Sequence, residues 1–279
     1  NPDTAGGATD GAAIDLDENV AADLMGVHGS QPTRVFMNQR AGRFAPLPEP
    51  PGPWPAAQFV LTNDLNNDGH ADVVLIRRGE VEIIPGQTAR RQRIDLAGLD
   101  ASTAALVDFD NDGWLDLLAA GSGGGGSDEN GRLRLYRNSG DETWVEVSET
   151  TGLSALSPAR VKRILPADLD LDGDTDLTLI GIDGRLHVLR NDGGDVNGQL
   201  RIRLTTVKTN TTGLGTHIEL HDGPWQVTRT VTALPIEIGL AKRTRLDAVQ
   251  TLWTNGVVDN QIDVKRTASP LTLVEKNVA

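Results

Sequence analysis

The chain contains no cysteine, and this absence excludes disulfide bonds, thiolate metal ligands and a cysteine nucleophile. It also has no apolar run near the ~18 residues that a membrane-spanning helix needs, so we expect no membrane insertion. Basic residues are in the minority, with 26 Lys and Arg against 39 Asp and Glu, which gives a formal net charge of −13. Nucleic acids and anionic membranes are bound by basic surfaces, so the charge argues against both as partners.

Helix-length amphipathic segments are missing as well, whereas glycine (31) and proline (14) are frequent. Short segments rich in Val, Leu and Ile alternate with turn residues, a pattern that is typical of strands. The length of 279 residues allows one or two domains with a substantial core. The chain begins NPDTAGGATDG, without Met and without a signal-like apolar stretch, which predicts a processed or truncated N-terminus. The composition predicts an all-β protein.

A nine-residue acidic pattern recurs four times along the chain. We number these loops in order: loop 1 is DLDENVAAD from Asp15, loop 2 is DLNNDGHAD from Asp64, loop 3 is DFDNDGWLD from Asp108, and loop 4 is DLDLDGDTD from Asp168. The starts lie 44 to 60 residues apart, which suits the four-stranded blades of a β-propeller. Each loop follows one apolar segment and precedes two or three more. We therefore predict that each repeat folds as a strand, an acidic loop and two or three further strands.

Loops 2 to 4 place oxygen-bearing side chains where a Ca²⁺ cage requires them. Aspartate, or asparagine in one case, stands at positions 1, 3, 5 and 9, glycine at position 6 permits a positive φ, and residue 7 can offer its backbone carbonyl. Carboxylates about 4 Å apart repel by roughly 4 kcal/mol per pair at a surface-like dielectric, so such loops need a cation between them. The three loops hold twelve aspartates, nearly the whole net charge. We predict about three Ca²⁺ sites.

The residues predicted to form these sites occupy the odd-numbered loop positions. They are Asp64, Asn66, Asp68, His70 and Asp72 in loop 2; Asp108, Asp110, Asp112, Trp114 and Asp116 in loop 3; and Asp168, Asp170, Asp172, Asp174 and Asp176 in loop 4. Loop 1 keeps Asp15, Asp17, Asn19 and Asp23 but has Val20 at position 6. A β-branched residue resists a positive φ, which disfavours a fourth site in this loop.

Two other interpretations apply to such loops. An EF-hand needs flanking helices and a bidentate Glu at position 12, where this chain has Leu75, Ala119 and Leu179, so that motif is excluded. Metal-free turns are the simpler alternative for any single loop, because Asp, Asn and Gly are ordinary turn residues. Three copies of one five-position pattern favour the metal over the turn.

The loops and their flanking strands resemble the FG-GAP/VCBS repeats of integrin-type β-propellers over about residues 10 to 195. DFDNDGWLDLLAAG followed by RLRLYRNSG carries this resemblance most closely. It implies an all-β fold with β-propeller blades over residues 1–198. Propellers of this family usually have seven blades and four are visible here. Two arrangements are open at this point: a ring that closes with four blades, and a partial propeller whose other blades lie upstream or in another chain.

The segment after Leu200 resembles a second family, the ASPIC/UnbV domain. The matching features are Asn210 with Gly213–Leu214–Gly215, the turn Ile238–Gly239–Leu240, and Trp253 with Asn255–Gly256. The resemblance implies a small β-sandwich-like domain over residues 199–279. In this same segment His217, Glu219 and His221 alternate on one strand face. A zinc site there is an open alternative to the solvated polar face that we expect.

Together, these observations predict a calcium-stabilised, non-catalytic binding or adhesion module of a secreted or surface protein. We expect an extracellular, cell-surface or periplasmic location and a protein or carbohydrate ligand. The alternatives are a propeller enzyme of the lyase or cyclase type and a subunit or fragment of a larger assembly, in which other subunits complete the propeller. The chain has no G-x-S-x-G or H-E-x-x-H motif, which favours the non-catalytic function.

Overall fold

A computed structural model describes residues 7–47, 54–86, 90–123, 131–156, 158, 160–193, 196–206 and 210–276. Strands dominate this part of the chain, and its one helical element is a short 3₁₀ turn, Leu153–Ala155. The predicted all-β fold is confirmed. None of the described helical segments has the length and apolarity needed to cross a membrane.

Four antiparallel sheets follow one another along the chain, and each is a meander of consecutive strands. Blade 1 contains β1 (Asp10–Ile14), β2 (Asp23–His28), β3 (Gln31–Asn38) and β4 (Phe44–Pro46); blade 2 contains β5 (Phe59–Asn63), β6 (Asp72–Arg77), β7 (Glu80–Ile84) and β8 (Gln92–Asp95). Blade 3 contains β9 (Leu99–Val107), β10 (Asp116–Gly123), β11 (Gly131–Asn138) and β12 (Trp144–Glu146); blade 4 contains β13 (Val161–Ala167), β14 (Asp176–Gly181) and β15 (Leu186–Leu189). These sheets are the predicted blades.

Apolar side chains form a buried layer between each pair of consecutive blades. Met25 and Val60 belong to the layer between blades 1 and 2, and Leu118 and Leu179 to the layer between blades 3 and 4. A third layer joins blades 2 and 3. The first strands of successive blades contact one another in the order β1, β5, β9 and β13. None of the buried layers of the described residues joins blade 4 to blade 1, so the four blades form an open arc.

Two further sheets follow the arc. Their strands are β16 (Gly198–Thr205), β17 (His217–Asp222), β18 (Trp225–Thr230), β19 (Ile236–Ala241), β20 (Arg245–Leu252), β21 (Val258–Lys265) and β22 (Leu271–Val274). One sheet has the order β19-β16-β22 and the other β18-β17-β20-β21. Leu200, Ile218, Val249 and Trp253 belong to one buried cluster that the two sheets share, as in a β-sandwich. The division into domains at residue 198 stays a prediction.

Candidate metal centres

The four acidic loops occupy equivalent places in the four blades. Each loop connects the first strand of its blade to the second, and its position 9 is the first residue of that second strand. The residues at position 9 are Asp23, Asp72, Asp116 and Asp176, and all four are buried. The repeat seen in the sequence is therefore a repeat in space, with one acidic loop at the same end of every blade.

The loops also share their backbone path. Position 4 has a positive φ of 53° to 66°, at Glu18, Asn67, Asn111 and Leu171. Position 6 has a positive φ in every loop, at Val20, Gly69, Gly113 and Gly173. The expectation that Val20 would resist this conformation is wrong, since its φ is 67°. The backbone N–H of Val20 donates to Asp15 Oδ2 at 2.7 Å, and this bond holds the loop in the common path.

Position 9 is a hydrogen-bond acceptor that joins the loop to its blade. Its Oδ2 accepts from the backbone N–H of position 2 at 2.8 to 3.1 Å in all four loops. Its Oδ1 accepts from a backbone N–H at or just beyond the end of the third strand, at 2.6 to 3.0 Å. Those donors are Asn38, Gly86, Asn138 and Asn191. Position 9 therefore has a structural task in addition to any metal that it binds.

The two carboxylate oxygens of the aspartate at position 1 have different surroundings. In loops 3 and 4, Oδ2 of Asp108 and of Asp168 accepts from the N–H of position 6 at 3.0 and 3.1 Å. The Oδ1 atoms of the same two residues are buried and have no hydrogen-bond partner. Asp110 Oδ1 is in the same condition. A buried carboxylate oxygen without a hydrogen-bond donor destabilises the folded state unless it coordinates a cation.

Three loops bring three carboxylates together. The sets are Asp15, Asp17 and Asp23 in loop 1, Asp108, Asp110 and Asp116 in loop 3, and Asp168, Asp170 and Asp176 in loop 4, each with one oxygen per residue within 4.8 Å of the others. These are positions 1, 3 and 9, and such a group can hold a metal ion. Loop 2 has Asn66 at position 3, so a neutral amide replaces one carboxylate there. Loop 1, which the sequence disfavoured, has the same arrangement as loops 3 and 4.

Positions 5 and 7 stay predicted ligands, and their side chains have partners other than the close carboxylate sets. Asp112 does not join the close set of loop 3, because its Oδ2 lies 2.9 Å from Nη2 of Arg137. In loop 2, Asp68 Oδ2 accepts a hydrogen bond from Asn66 at 2.9 Å.

At position 7, the ring of His70 pairs with Glu18 of loop 1, and the indole of Trp114 lies against Gly140. Asp174 is fully buried, and its Oδ1 accepts from Asn111 Nδ2 at 3.3 Å. Asp172 at position 5 of loop 4 is exposed.

Burial raises the pKa values of several carboxyl groups in loops 2 and 3, because a low dielectric disfavours their charged form. The pKa of Asp64 rises to about 6, and those of Asp72 and Asp108 rise to about 7. Burial, and then the neighbouring carboxylates, raise the pKa of Asp110 and raise that of Asp116 well above its usual range. In these five groups the neighbouring hydrogen bonds and arginines do not offset the cost of burying the charged form.

Arginines supply part of the missing positive charge. Arg137 lies beside loop 3, with Nε 2.8 Å from Asp110 Oδ2. Arg190 lies at the equivalent place beside loop 4, with Nη1 3.2 Å from Asp170 Oδ2. Each of these two arginines directly precedes the asparagine that donates to position 9 in its blade.

The C-terminal sheets contact loops 2, 3 and 4, which the sequence did not predict. Arg229 of β18 is buried, with Nη2 2.8 Å from the Gly113 carbonyl of loop 3 and Nη1 3.1 Å from Asn67 Oδ1 of loop 2. The N–H of Gly239 in β19 donates to Asp108 Oδ2 at 3.0 Å.

Loop 4 meets the same sheets through two charged residues. Arg201 Nη2 of β16 lies 3.1 Å from Asp168 Oδ2, and Glu237 Oε2 of β19 accepts from the Asp168 N–H at 3.0 Å. The residues of the C-terminal sheets that contact the loops lie 33 to 162 residues from their partners, and no local pattern marks them.

The candidate zinc residues do not form a metal group. His221 Nε2 lies 3.2 Å from Glu219 Oε2, and His217 Nε2 lies 3.6 Å from Glu219 Oε1. Within the described ranges, the groups of three close metal-ligating side chains are the three aspartate sets. The histidines thus pair with a carboxylate along one strand.

Comparison with curated proteins gives no match. Among solved structures, the chain is similar to BBS1N in its crystal structure in complex with ARL6DN, soaked with mercury. The sequence identity is 12% and the TM-score is 0.40, and the similarity covers 95% of this chain and 96% of that chain. It is also similar to the V. cholerae biofilm matrix protein Bap1 at 10% identity and a TM-score of 0.29, covering 90% of this chain. The chain spans about half the length of Bap1, 47%.

A family model described as FG-GAP-like repeat matches residues 64–119 and 108–178. The two matches begin at the first residue of loop 2 and of loop 3, and the second continues through loop 4 into β14. The repeat predicted from the acidic pattern is thereby confirmed for this part of the chain, which carries FG-GAP-like repeats.

Proposed function

We propose that this chain is a calcium-stabilised, non-catalytic binding module of an extracellular or cell-surface protein. The observation that carries the proposal is that Asp108, whose buried Oδ1 has no hydrogen-bond partner, belongs to a close group of carboxylates with Asp110 and Asp116. A hard divalent cation with oxygen ligands suits this donor set, since all three groups are carboxylates. The ion would offset the repulsion that burial of these groups creates.

The four loops should differ in their affinity for a cation. Loops 3 and 4 should bind it most tightly, because in each of them the aspartate at position 1 has a buried Oδ1 with no hydrogen-bond donor. In loop 1, Asp15 Oδ1 already accepts from the Asn19 N–H at 3.0 Å, and in loop 2, Asp64 Oδ1 accepts from the Asp68 N–H at 3.3 Å. We therefore propose strong sites in loops 3 and 4 and weaker ones in loops 1 and 2.

Calcium in these loops would stabilise the molecule without taking part in a reaction. Each loop ties the first strand of its blade to the second and, through position 9, to the third. Loops 2, 3 and 4 also contact the C-terminal sheets. A cation that neutralises a loop therefore stabilises the blade and its contact with those sheets together.

A cleft beside loop 4 is our candidate for the ligand-binding site. It has a volume of about 360 Å³ between loop 4 and the C-terminal sheets, and Asp172, Arg201 and Arg266 line it together with polar side chains. One carboxylate and two guanidinium groups can bind a polar protein or carbohydrate ligand through hydrogen bonds. They do not form a nucleophile with an adjacent base, so the lining supports binding over catalysis.

An extracellular location follows from the same proposal. Extracellular modules hold Ca²⁺ with dissociation constants of roughly 10⁻⁴ to 10⁻³ M, matched to its concentration outside cells. The FG-GAP-like repeats and the cysteine-free sequence are both compatible with secretion.

Calorimetric titration of calcium into chelator-treated protein tests the cation sites. We expect at least two bound ions, one fewer in Asp108→Asn, and the wild-type number in Glu149→Gln, which removes an exposed carboxylate outside the loops. Mg²⁺ should bind more weakly, because it demands a smaller octahedral site. A wild-type protein that takes up no calcium, or an Asp108→Asn variant with full stoichiometry, would refute the proposal.

A glycan array in calcium buffer, with the cleft variant Arg266→Ala, tests the ligand site. Ligands bound by the wild type and lost in the variant would support the cleft. Ligands that both proteins bind equally would place the binding surface elsewhere.

A further inference from the structure

Blade 4 has an apolar face that the described chain leaves uncovered. Leu165, Thr178 and Val188 form one row across its three strands, and Arg163, Ile180 and Leu186 form the next. The opposite face of the same sheet, with Ile164 and Leu179, packs against blade 3. Leu165, Val188 and Leu186 are 48%, 62% and 65% exposed.

The same face is buried in blade 3. Leu118 lies two residues after the position-9 aspartate, as Thr178 does in blade 4, and its row contains Ala105 and Leu135. All three residues of this row are buried against blade 4. The row of Leu165, Thr178 and Val188 therefore occupies the place in the repeat that the next blade covers.

Blade 1 has the complementary uncovered face. Ala13, Leu24, Phe36 and Pro46 form a row across its four strands. Leu24 directly follows the position-9 aspartate, as Leu117 does in blade 3, and Leu117 with Tyr136 is buried against the preceding blade. Leu24 and the neighbouring Phe44 are 45% and 43% exposed. The arc thus ends in one face that suits a following blade and one that suits a preceding blade.

We propose that a second copy of this chain covers both ends, so that two four-bladed arcs close into a ring of eight blades. Each chain carries both halves of the contact, and the contact is of the kind that the chain already makes three times between its own blades. Contact between two different faces is heterologous, and such contacts close into rings when the rotation between copies allows it. Eight blades lie within the usual range for propellers, roughly four to eight, whereas three copies would exceed it.

Closure also explains the exposed apolar residues without reference to calcium. Monomeric proteins rarely expose large contiguous apolar patches, and here two patches lie at the two ends of one arc. A ring would leave no end blade exposed.

Light scattering after size exclusion tests the ring with single-face variants. The wild type should elute as one species of twice the 29.8 kDa chain mass. Val188→Glu places a charge on the apolar face of blade 4, and Leu24→Glu places one on the apolar face of blade 1. Each variant alone should have the mass of one chain. Ile262→Glu, at an exposed apolar position of β21, should leave the two-chain species intact. Circular dichroism and melting of each variant verify that these surface changes leave the fold intact.

A mixture of the two single-face variants separates this head-to-tail contact from other dimers. The intact blade 4 face of Leu24→Glu can contact the intact blade 1 face of Val188→Glu, so the mixture should form a two-chain species that is at least tenfold weaker than the wild type. A wild-type protein with the mass of one chain, dimers in both single variants, or a mixture that stays monomeric at millimolar concentration would each overturn the proposal.

Discussion

Arg229 of the C-terminal sheets donates a hydrogen bond from Nη2 to the carbonyl of Gly113 in loop 3, at 2.8 Å. The same guanidinium group contacts Asn67 of loop 2 through Nη1, at 3.1 Å. Its positive charge lowers the pKa values of Asp108 and Asp64, although burial raises both overall. The buried guanidinium group thus lies between the candidate metal sites of loops 2 and 3. The stability of these loops and that of the C-terminal sheets therefore depend on each other.

Replacement of this buried cation should destabilise the protein most when calcium is absent. Arg229→Met removes the shorter of two hydrogen bonds to the Gly113 carbonyl and the charge that faces two aspartates. Chelator-treated protein should therefore lose about 3–5 kcal/mol in free energy of unfolding. With calcium the loss should be smaller, because bound ions neutralise the same aspartates. Urea unfolding in both buffers measures the difference.

Arg243→Met is the matched control for this change. Arg243 stacks 4.1 Å from the Trp225 ring centroid and pairs with Asp222, a carboxylate outside the acidic loops. We expect a loss of about 1 kcal/mol at most, equal in the two buffers. An Arg229→Met variant whose loss is also independent of calcium would mean that the guanidinium serves packing alone.

Calcium itself should raise the melting temperature, and a chelator should lower it. A ligand that binds only the folded state stabilises by about 2.7 kcal/mol per site at a concentration one hundred times its dissociation constant. Differential scanning calorimetry across a calcium series measures the shift, with sodium chloride of equal ionic strength as the control. A melting temperature that follows ionic strength rather than calcium would indicate screening of the aspartates without specific binding.

Positions 3 and 9 of one loop should respond differently to the same substitution. Asp116→Asn replaces one of two oxygens that accept backbone N–H groups, so the variant should lose about 1–3 kcal/mol even in chelator. The loss should be larger in calcium, because Asp116 also belongs to the carboxylate set of loop 3. Asp110→Asn keeps the loop backbone and should mainly reduce the calcium-dependent part of stability. Thermal melts of both variants in calcium and in chelator distinguish them, and identical responses would contradict the structural task of position 9.

The acidic pattern predicted the four loops, their place between the first two strands of each blade, and the carboxylate sets of loops 3 and 4. Val20 adopts a left-handed φ against its local preference, because the hydrogen bond from its N–H to Asp15 holds it in that region, and a local pattern does not reveal this bond. Arg229 and Gly239 could not be found from the sequence. They contact loop 3 across 116 and 131 residues of the chain, and neither belongs to the acidic pattern.

The strain at Val20 provides a substitution that should increase stability. A left-handed conformation costs an L-residue roughly 1–2 kcal/mol, and glycine avoids this cost but loses more backbone entropy on folding. Val20→Gly should therefore raise the free energy of unfolding by about 1 kcal/mol. Gly69→Val is the reverse change at the same position of loop 2, where a Cβ would meet nothing within 4 Å, and it should lower stability by a similar amount. Chemical denaturation of both variants measures the pair, and a stabilised Gly69→Val would contradict a shared loop path.

The contact between Gly239 and loop 3 should be sensitive to a single methyl group. A Cβ at Gly239 would lie closer than 3.0 Å to Asp108 Oδ2 and to the Asn111 backbone, a separation that real Cβ atoms do not show. Gly239→Ala should therefore separate β19 from the loop and cost about 1–3 kcal/mol through overpacking. Hydrogen exchange should accelerate at the amides of Gly239 and Ala241, which donate to Asp108 and to the Asn111 carbonyl. Gly193→Ala, where the nearest atom would lie at 3.7 Å, should leave both amides protected. If Gly239→Ala left them protected too, the C-terminal sheets would not depend on loop 3, because a docked strand could not accommodate the methyl group without moving.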